Sequence, residues 1–289
     1  MKSQLYLDIK NMAARKVLCK VIGTLIISIL AVIVLVPFVY MLSASFKTMG
    51  QLDNQPLDLI VDGMTWKNFQ KVLGLKNPTF LRYYFNSFKI SGICVLSELL
   101  TSSMAGYAFA RIRFKGREAI FLLYLATMMI PFQAIMVPQF MVFQYLNIYN
   151  THLALILPRM CTIFGTFMMR QYFMGIPVEL SEAAKIDGAG EFKTYYRVIL
   201  PLAKPALATL GIITFVWRWN EYEAPLIFIS EKNLYTLPLA LVNFVDDVGQ
   251  QQDTVIIAAA VCALLPMLLV FFLGQKYIIE GMTSGSVKG

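Results

Sequence analysis

Long apolar runs separated by short polar islands dominate the chain. Val21 to Leu42, Ala119 to Leu146 and Thr254 to Gly274 contain no Asp, Glu, Lys or Arg, and each is long enough to cross a hydrocarbon layer of about 30 Å as a helix. Three further runs carry a few charges: Ile90 to Ala110 with Glu98, Leu153 to Met169 with Arg159, and Pro205 to Ile229 with Arg218, Glu221 and Glu223. The pattern predicts six transmembrane helices. Continuous apolar runs leave no period-two alternation, and an open sheet edge cannot face lipid, so strands are not expected. The chain therefore reads as an all-α integral membrane protein: an N-terminal segment at 1–20, a helical domain over 21–280 and a tail at 281–289.

The polar island between the fourth and fifth runs, residues 176–205, has its own helical pattern. Pro177 suits a first helical position, Ser181 to Asp187 is rich in helix formers, and Gly188 supplies a left-handed residue to end the helix. A second short helix, Glu191 to Val198, is expected to stop before Pro201. On the first helix Leu180, Ala183, Ala184 and Asp187 share a face, with Glu179, Glu182 and Lys185 elsewhere. Periodicity alone allows either an amphipathic helix lying on the membrane surface or a helix-turn-helix offered to a partner.

Composition agrees with the pattern. Hydrophobic residues make up 58% of the 289 positions and charged residues 15%, outside the range of soluble domains. The run from Val21 exceeds the ~7–15 apolar residues of a signal peptide, so a retained first helix is expected. Basic residues set the orientation. Lys2, Lys10, Arg15, Lys16 and Lys20 precede the first run, Arg111, Arg113, Lys115 and Arg117 follow the second, and Lys185, Lys193, Arg197 and Lys204 lie in the island. All three alternate as cytoplasmic. The loop from Lys47 to Lys89 is basic too, but Asp53, Asp58 and Asp62 dilute it, and its length weakens its vote. Acidic Asp246 and Asp247 favour the outside for the loop before the last run. The net charge of +8 thus reflects orientation and anionic headgroups, with no nucleic-acid partner implied.

The order of residues in the island is more specific than its period. Glu182-Ala183-Ala184, Asp187-Gly188-Ala189, Leu200-Pro201-Leu202 and Pro205 resemble the EAA loop of permease subunits of ABC importers. Ile176-Pro177, Trp219-Asn220-Glu221 and the ending Gly-Met-Thr-Ser-Gly-Ser-Val-Lys-Gly look like the carbohydrate-importing, MalG-type members. The resemblance runs from the first span to the last residue. It implies the type I permease fold with six spans and a cytoplasmic EAA helix-turn-helix, in a bacterial cytoplasmic membrane with both termini cytoplasmic. It also implies partners: a second homologous permease, two ATPase copies, an extracellular or periplasmic solute-binding protein, a carbohydrate and membrane lipid. Glu182, Ala183, Ala184, Asp187, Gly188 and Pro201 become candidate ATPase contacts, and Gly281, Thr283, Gly285 and Gly289 candidate tail contacts. No cofactor is expected on this chain; ATP and Mg belong to the partner ATPase.

The remaining residues carry little catalytic chemistry. No phosphate-binding G-x-x-x-x-G-K-[ST], G-x-S-x-G or H-E-x-x-H pattern occurs, so no catalysis is expected from this chain alone. Cys19, Cys94, Cys161 and Cys262 have no paired spacing, and the lone His152 reads as a cap or interfacial residue; no metal site is expected. Charges in apolar runs are expensive and point to a path or a partner. Trp219, Asn220 and Glu221 combine an aromatic face with an amide and a carboxylate, the groups a sugar uses, and form the candidate substrate path. Glu98 and Arg159 suggest a pair across the second and fourth spans. The rival reading is an ion-coupled secondary transporter with Glu98, Glu221 and Glu223 as coupling groups. Pro131, Pro138, Pro158, Pro201, Pro205, Pro225 and Pro266 imply kinks.

Overall fold

The structure, a computed structural model, describes residues 2–60, 62–74, 79–242 and 253–283, with side chains described within 17–277. Every regular element among them is helical: α1 Lys2–Ala44, α2 Met49–Asn54, α3 Lys67–Leu73, α4 Phe80–Arg111, α5 Arg117–Ala126, α6 Phe132–Tyr145, α7 His152–Ile156 and α8 Ile163–Gly175, then α9 Glu179–Ile186, α10 Glu191–Thr194, α11 Leu200–Leu202, α12 Lys204–Trp219, α13 Glu223–Phe228, α14 Leu237–Val242 and α15 Asp253–Thr283. Four stretches are long and apolar enough to cross a membrane: Val17–Ala44, Phe80–Arg111, His152–Gly175 and Asp253–Tyr277, with two bent pairs raising the number to as many as six.

The chain divides into two compact units. The first holds the described residues to Val72 and the start of α15, to Val261. The apolar window of α1 has no buried residue, so its entire circumference suits lipid or another helix. Beyond it, the stretch expected to be a loop folds into a cap. Thr48 and Gln51 close a capping box on α2, and Phe46, Trp66 and Phe69 cluster with ring centroids 4.8–5.5 Å apart. Buried Lys47 donates from Nζ to the carbonyls of Gln55 and Pro56 at 2.8 and 3.3 Å. The expected vote of Lys47 in orientation is therefore partly a structural role. Arg82 and Lys89 lie on α4, which starts ten residues before Ile90.

The second unit runs from Leu73 and includes α15 from Cys262. Here α4 packs along α8 and α12, and glycine sets the closest approach. A Cβ on Gly106 of α4 would lie 2.7 Å from the Cβ of Met169 and 2.9 Å from the Arg170 nitrogen, the close backbone contact that small residues give membrane helices. Gly165 of α8 leaves room instead for the side chains of Glu98 and Ser102, with a Cβ there 3.0 Å from Glu98 Oε1 and from the Ser102 Cβ.

Two expected spans are not continuous. Ala119 to Leu146 breaks at Ile130-Pro131, where α5 with its terminal turn meets α6 at 96°. Pro131 lacks a donor and biases the preceding residue to extended backbone; Ile130 has ψ 113°. Pro205 to Ile229 ends its helix at Trp219 and restarts at Glu223. Arg218, Glu221 and Glu223 therefore gather at a helix end and its turn, where Arg218 and Glu221 pair at 2.5 Å.

Candidate functional site

The polar island folds as a helix-turn-helix. Gly188 has φ +77°; its N–H donates to the Lys185 carbonyl at 3.0 Å, and that of Ala189 to the Ala184 carbonyl at 2.9 Å. These two bonds form a Schellman cap on α9, which requires the left-handed residue. Lys185 then reaches Glu191 at 2.5 Å and ties α9 to α10. Glu182, Ala183, Asp187, Gly188 and Pro201 are exposed and Ala184 is half-buried. The face of α9 turned inward is that of Ser181 and Ala184, so Leu180, Ala183 and Asp187 face outward with no contact to bury them. Around them Ile186 is 86% and Phe192 69% exposed.

The second helix of the island does not stop at Val198. The backbone widens into a π turn over Tyr195–Ile199 and continues through α11 to Leu202. The wider ladder tolerates Pro201, whose missing N–H would otherwise break it. This turn is fastened to α4. Tyr107 donates to Glu191 Oε2 at 3.0 Å, and the hydroxyls of Ser103 and Tyr195 are 2.8 Å apart. Arg111 donates to the carbonyls of Phe173 and Ile176 at the end of α8. Tyr107, Met169, Phe173, Tyr195 and Ile199 form one buried cluster beneath. At the start of α5, both carboxylate oxygens of Glu118 accept from Nη2 of Arg170, at 2.9 and 2.7 Å, and the guanidinium lies 4.0 Å from the centre of the Phe121 ring. Sequence reasoning missed Ser103, Tyr107 and Glu191; only a three-dimensional contact brings residues 84 and 92 positions apart together.

The second candidate region is a cavity of about 450 Å³ at the end of α12, lined in part by Phe132, Arg159, Trp217, Arg218, Asn220 and Glu221. Glu221 is gripped from both sides, by Arg159 at 2.6 Å and Arg218 at 2.5 Å. The suggested Glu98–Arg159 pair is therefore not formed. Glu98 is fully buried and accepts instead from the Thr162 hydroxyl. The predicted trio separates. Trp219 is buried, stacked on Phe215 with centroids 5.5 Å apart, and its Nε1–H donates to the Ala263 carbonyl at 3.0 Å. Asn220 and Glu221 line the cavity, and the exposed indole beside them is that of Trp217, two residues before Trp219. Of the tail residues, Gly281 and Thr283 belong to the last turn of α15; Gly285 and Gly289 lie outside the described residues, as do Asp246 and Asp247.

Long apolar helices with proline breaks, a water-suited capped turn and a polar cavity beside a helix end define a multi-pass membrane permease. Residues 99–284 match the binding-protein-dependent transport system inner membrane component family, and the chain belongs to that family. It is 36% identical over 262 residues to the arabinooligosaccharides transport system permease protein AraQ of Halalkalibacterium halodurans, with 90% of this chain and 93% of that protein covered. It is 30% identical over 279 residues to the sn-glycerol-3-phosphate transport system permease protein UgpE of Yersinia enterocolitica, covering 95% and 98%. A crystal structure of a bacterial ABC transporter involved in the import of the acidic polysaccharide alginate contains a chain that superposes with a TM-score of 0.80 at 25% identity, covering 89% of this chain and 95% of that one.

Proposed function

We propose that this chain is the permease subunit of an ATP-driven importer of carbohydrates, coupled to a cytoplasmic ATPase through residues 176–205. The observation that carries this reading is the capped turn at Gly188. It exposes Ala183, Asp187, Ile186 and Phe192 on one side and is fastened on the other to α4 by Glu191 and Tyr195. An exposed apolar rim on a rigid turn suits a groove in a soluble partner, and the anchors give displacement of that turn a route into a long helix. ATP and Mg stay on the partner, two copies of which serve this chain and a homologous second permease. A solute-binding protein delivers cargo from outside. Six spans follow if each bent pair crosses once, and the basic segments then place both termini in the cytoplasm.

The test is a cysteine at Ala183 in the assembled complex. It is expected to crosslink to the ATPase, and uptake in proteoliposomes is expected to need ATP and the solute-binding protein. Labelling of that cysteine from the outer face, or uptake driven by an ion gradient with this chain alone, would overturn the reading in favour of ion coupling. Support for ion coupling is reduced by Glu221, whose two oxygens are already held by arginines.

A further inference from the structure

We propose that the cavity beside Trp217 is a subsite for an uncharged saccharide ring, so that this subunit itself touches cargo and discriminates against anionic cargo. The inference rests on the importer reading and adds the chemical class that the site accepts. At about 450 Å³ the space is within the range of small-molecule sites. Its aromatic wall is Trp217, 44% exposed although edge-packed on Phe164 at 5.0 Å, and an open indole face suits the apolar face of a sugar ring. Polar groups stand next to it. The Asn220 side chain is exposed, with its Nδ2 donating to the Val216 carbonyl at 2.8 Å and its amide oxygen left to accept, and Glu221 lines the cavity beside it; sugar hydroxyls are both donors and acceptors.

Charge decides the class. Arg159, Arg218, Glu221 and Glu223 all line the cavity, two cations and two anions. Both arginines are committed to Glu221 at 2.6 and 2.5 Å, and Gln133 holds Glu223 at 3.3 Å. A phosphate or carboxylate cargo would have to take an arginine from Glu221 and leave a carboxylate unpaired in a half-enclosed site, which is strongly unfavourable. A neutral ring has no such cost. The balance separates this cavity from what glycerol phosphate or a uronate polymer would need.

The experiment uses the assembled transporter in nanodiscs without solute-binding protein, with saturation-transfer NMR on arabinotriose, lactose and maltose, and on sn-glycerol 3-phosphate at the same concentration. Transfer to at least one neutral saccharide and none to the phosphate is expected. Trp217→Ala is expected to weaken half-saturation by about tenfold, whereas Trp66→Phe, remote in sequence and outside the cavity lining, leaves it unchanged. Absence of transfer to every saccharide in the wild type, an unchanged half-saturation in Trp217→Ala, or equal transfer to the phosphate each overturns the subsite. ATP-driven uptake by the complete system is scored separately: uptake without transfer removes only the subsite, and transfer without ATP-dependent uptake removes only the importer reading.

Discussion

Gly188 bears a geometric demand that no packing obscures. Its φ of +77° is a conformation L side chains adopt at a cost of roughly 1–2 kcal/mol, and a Cβ added there meets nothing within 4 Å. The cost of substitution is thus backbone conformation alone. Gly188→Val is expected to deform the turn and abolish most uptake while membrane abundance stays near wild type. Gly188→Asn, which tolerates the left-handed region, is expected to retain most of it. Uptake and membrane level measured side by side test this pair; equal activity in both variants, or loss of the protein from the membrane in both, would refute a coupling role. This residue was legible in the sequence because a helix that ends Asp-Gly-Ala states its cap locally. Trp219 was not. Two positions, about 200° of rotation on α12, separate Trp217 from Trp219, and only packing against Phe215 and the Ala263 carbonyl settles which of them faces the cavity.

At the level of elements, one of the ties between the island and α4 is a two-armed carboxylate. Glu191 receives Lys185 on one oxygen and Tyr107 on the other, at 2.5 and 3.0 Å. Tyr107→Phe keeps the ring against Phe173 and Tyr195 and removes only the hydroxyl. A hydrogen bond to a charged group, screened at this half-exposed carboxylate, contributes about 1 kcal/mol. A roughly fivefold fall in transport per ATP hydrolysed is expected at unchanged membrane level; an unchanged ratio would show that the tie carries no motion. The α4–α8 crossing is a matter of stability instead. Gly106→Ala places a methyl 2.7 Å from the Met169 Cβ, whereas Gly92→Ala on the same helix meets nothing within 4 Å. Thermal unfolding of the solubilised complex should show a lowered midpoint for the first and none for the second, and equal midpoints would refute close packing at Gly106. Apolar period placed α4, α8, α12 and α15 in the sequence. Pro131 is one of the prolines that imply kinks, but the run itself does not single it out, because a proline inside an apolar run leaves the hydrophobic pattern intact while removing a backbone donor. The turn of 96° shows only in the structure.

For the molecule as a whole, the chain's polar chemistry divides between an exposed capped turn and a cavity whose charges cancel. In the proposed importer the work is supplied by the partner ATPase, and the contacts of this chain with that partner set how it is received. The end of α15 bears on how many places it enters. This helix extends to Thr283, nine residues beyond the expected end of the span at Gly274 and about 13 Å at the rise of a helix. Gly281 and Thr283 are thus carried on a rigid rod, and the Ser-Gly-Ser-Val-Lys-Gly that follows in sequence starts from a held position. In the proposed importer, a peptide tethered to the same subunit as the docking turn would meet the ATPase at raised effective concentration, so even a weak contact contributes. Truncation after Thr283 removes this segment and spares the helix. The expected result is normal membrane abundance, retained crosslinking from Ala183, and reduced stimulation of ATP hydrolysis by loaded solute-binding protein. If stimulation survives at the wild-type level, the segment makes no functional contact and residues 176–205 alone carry the coupling of this subunit.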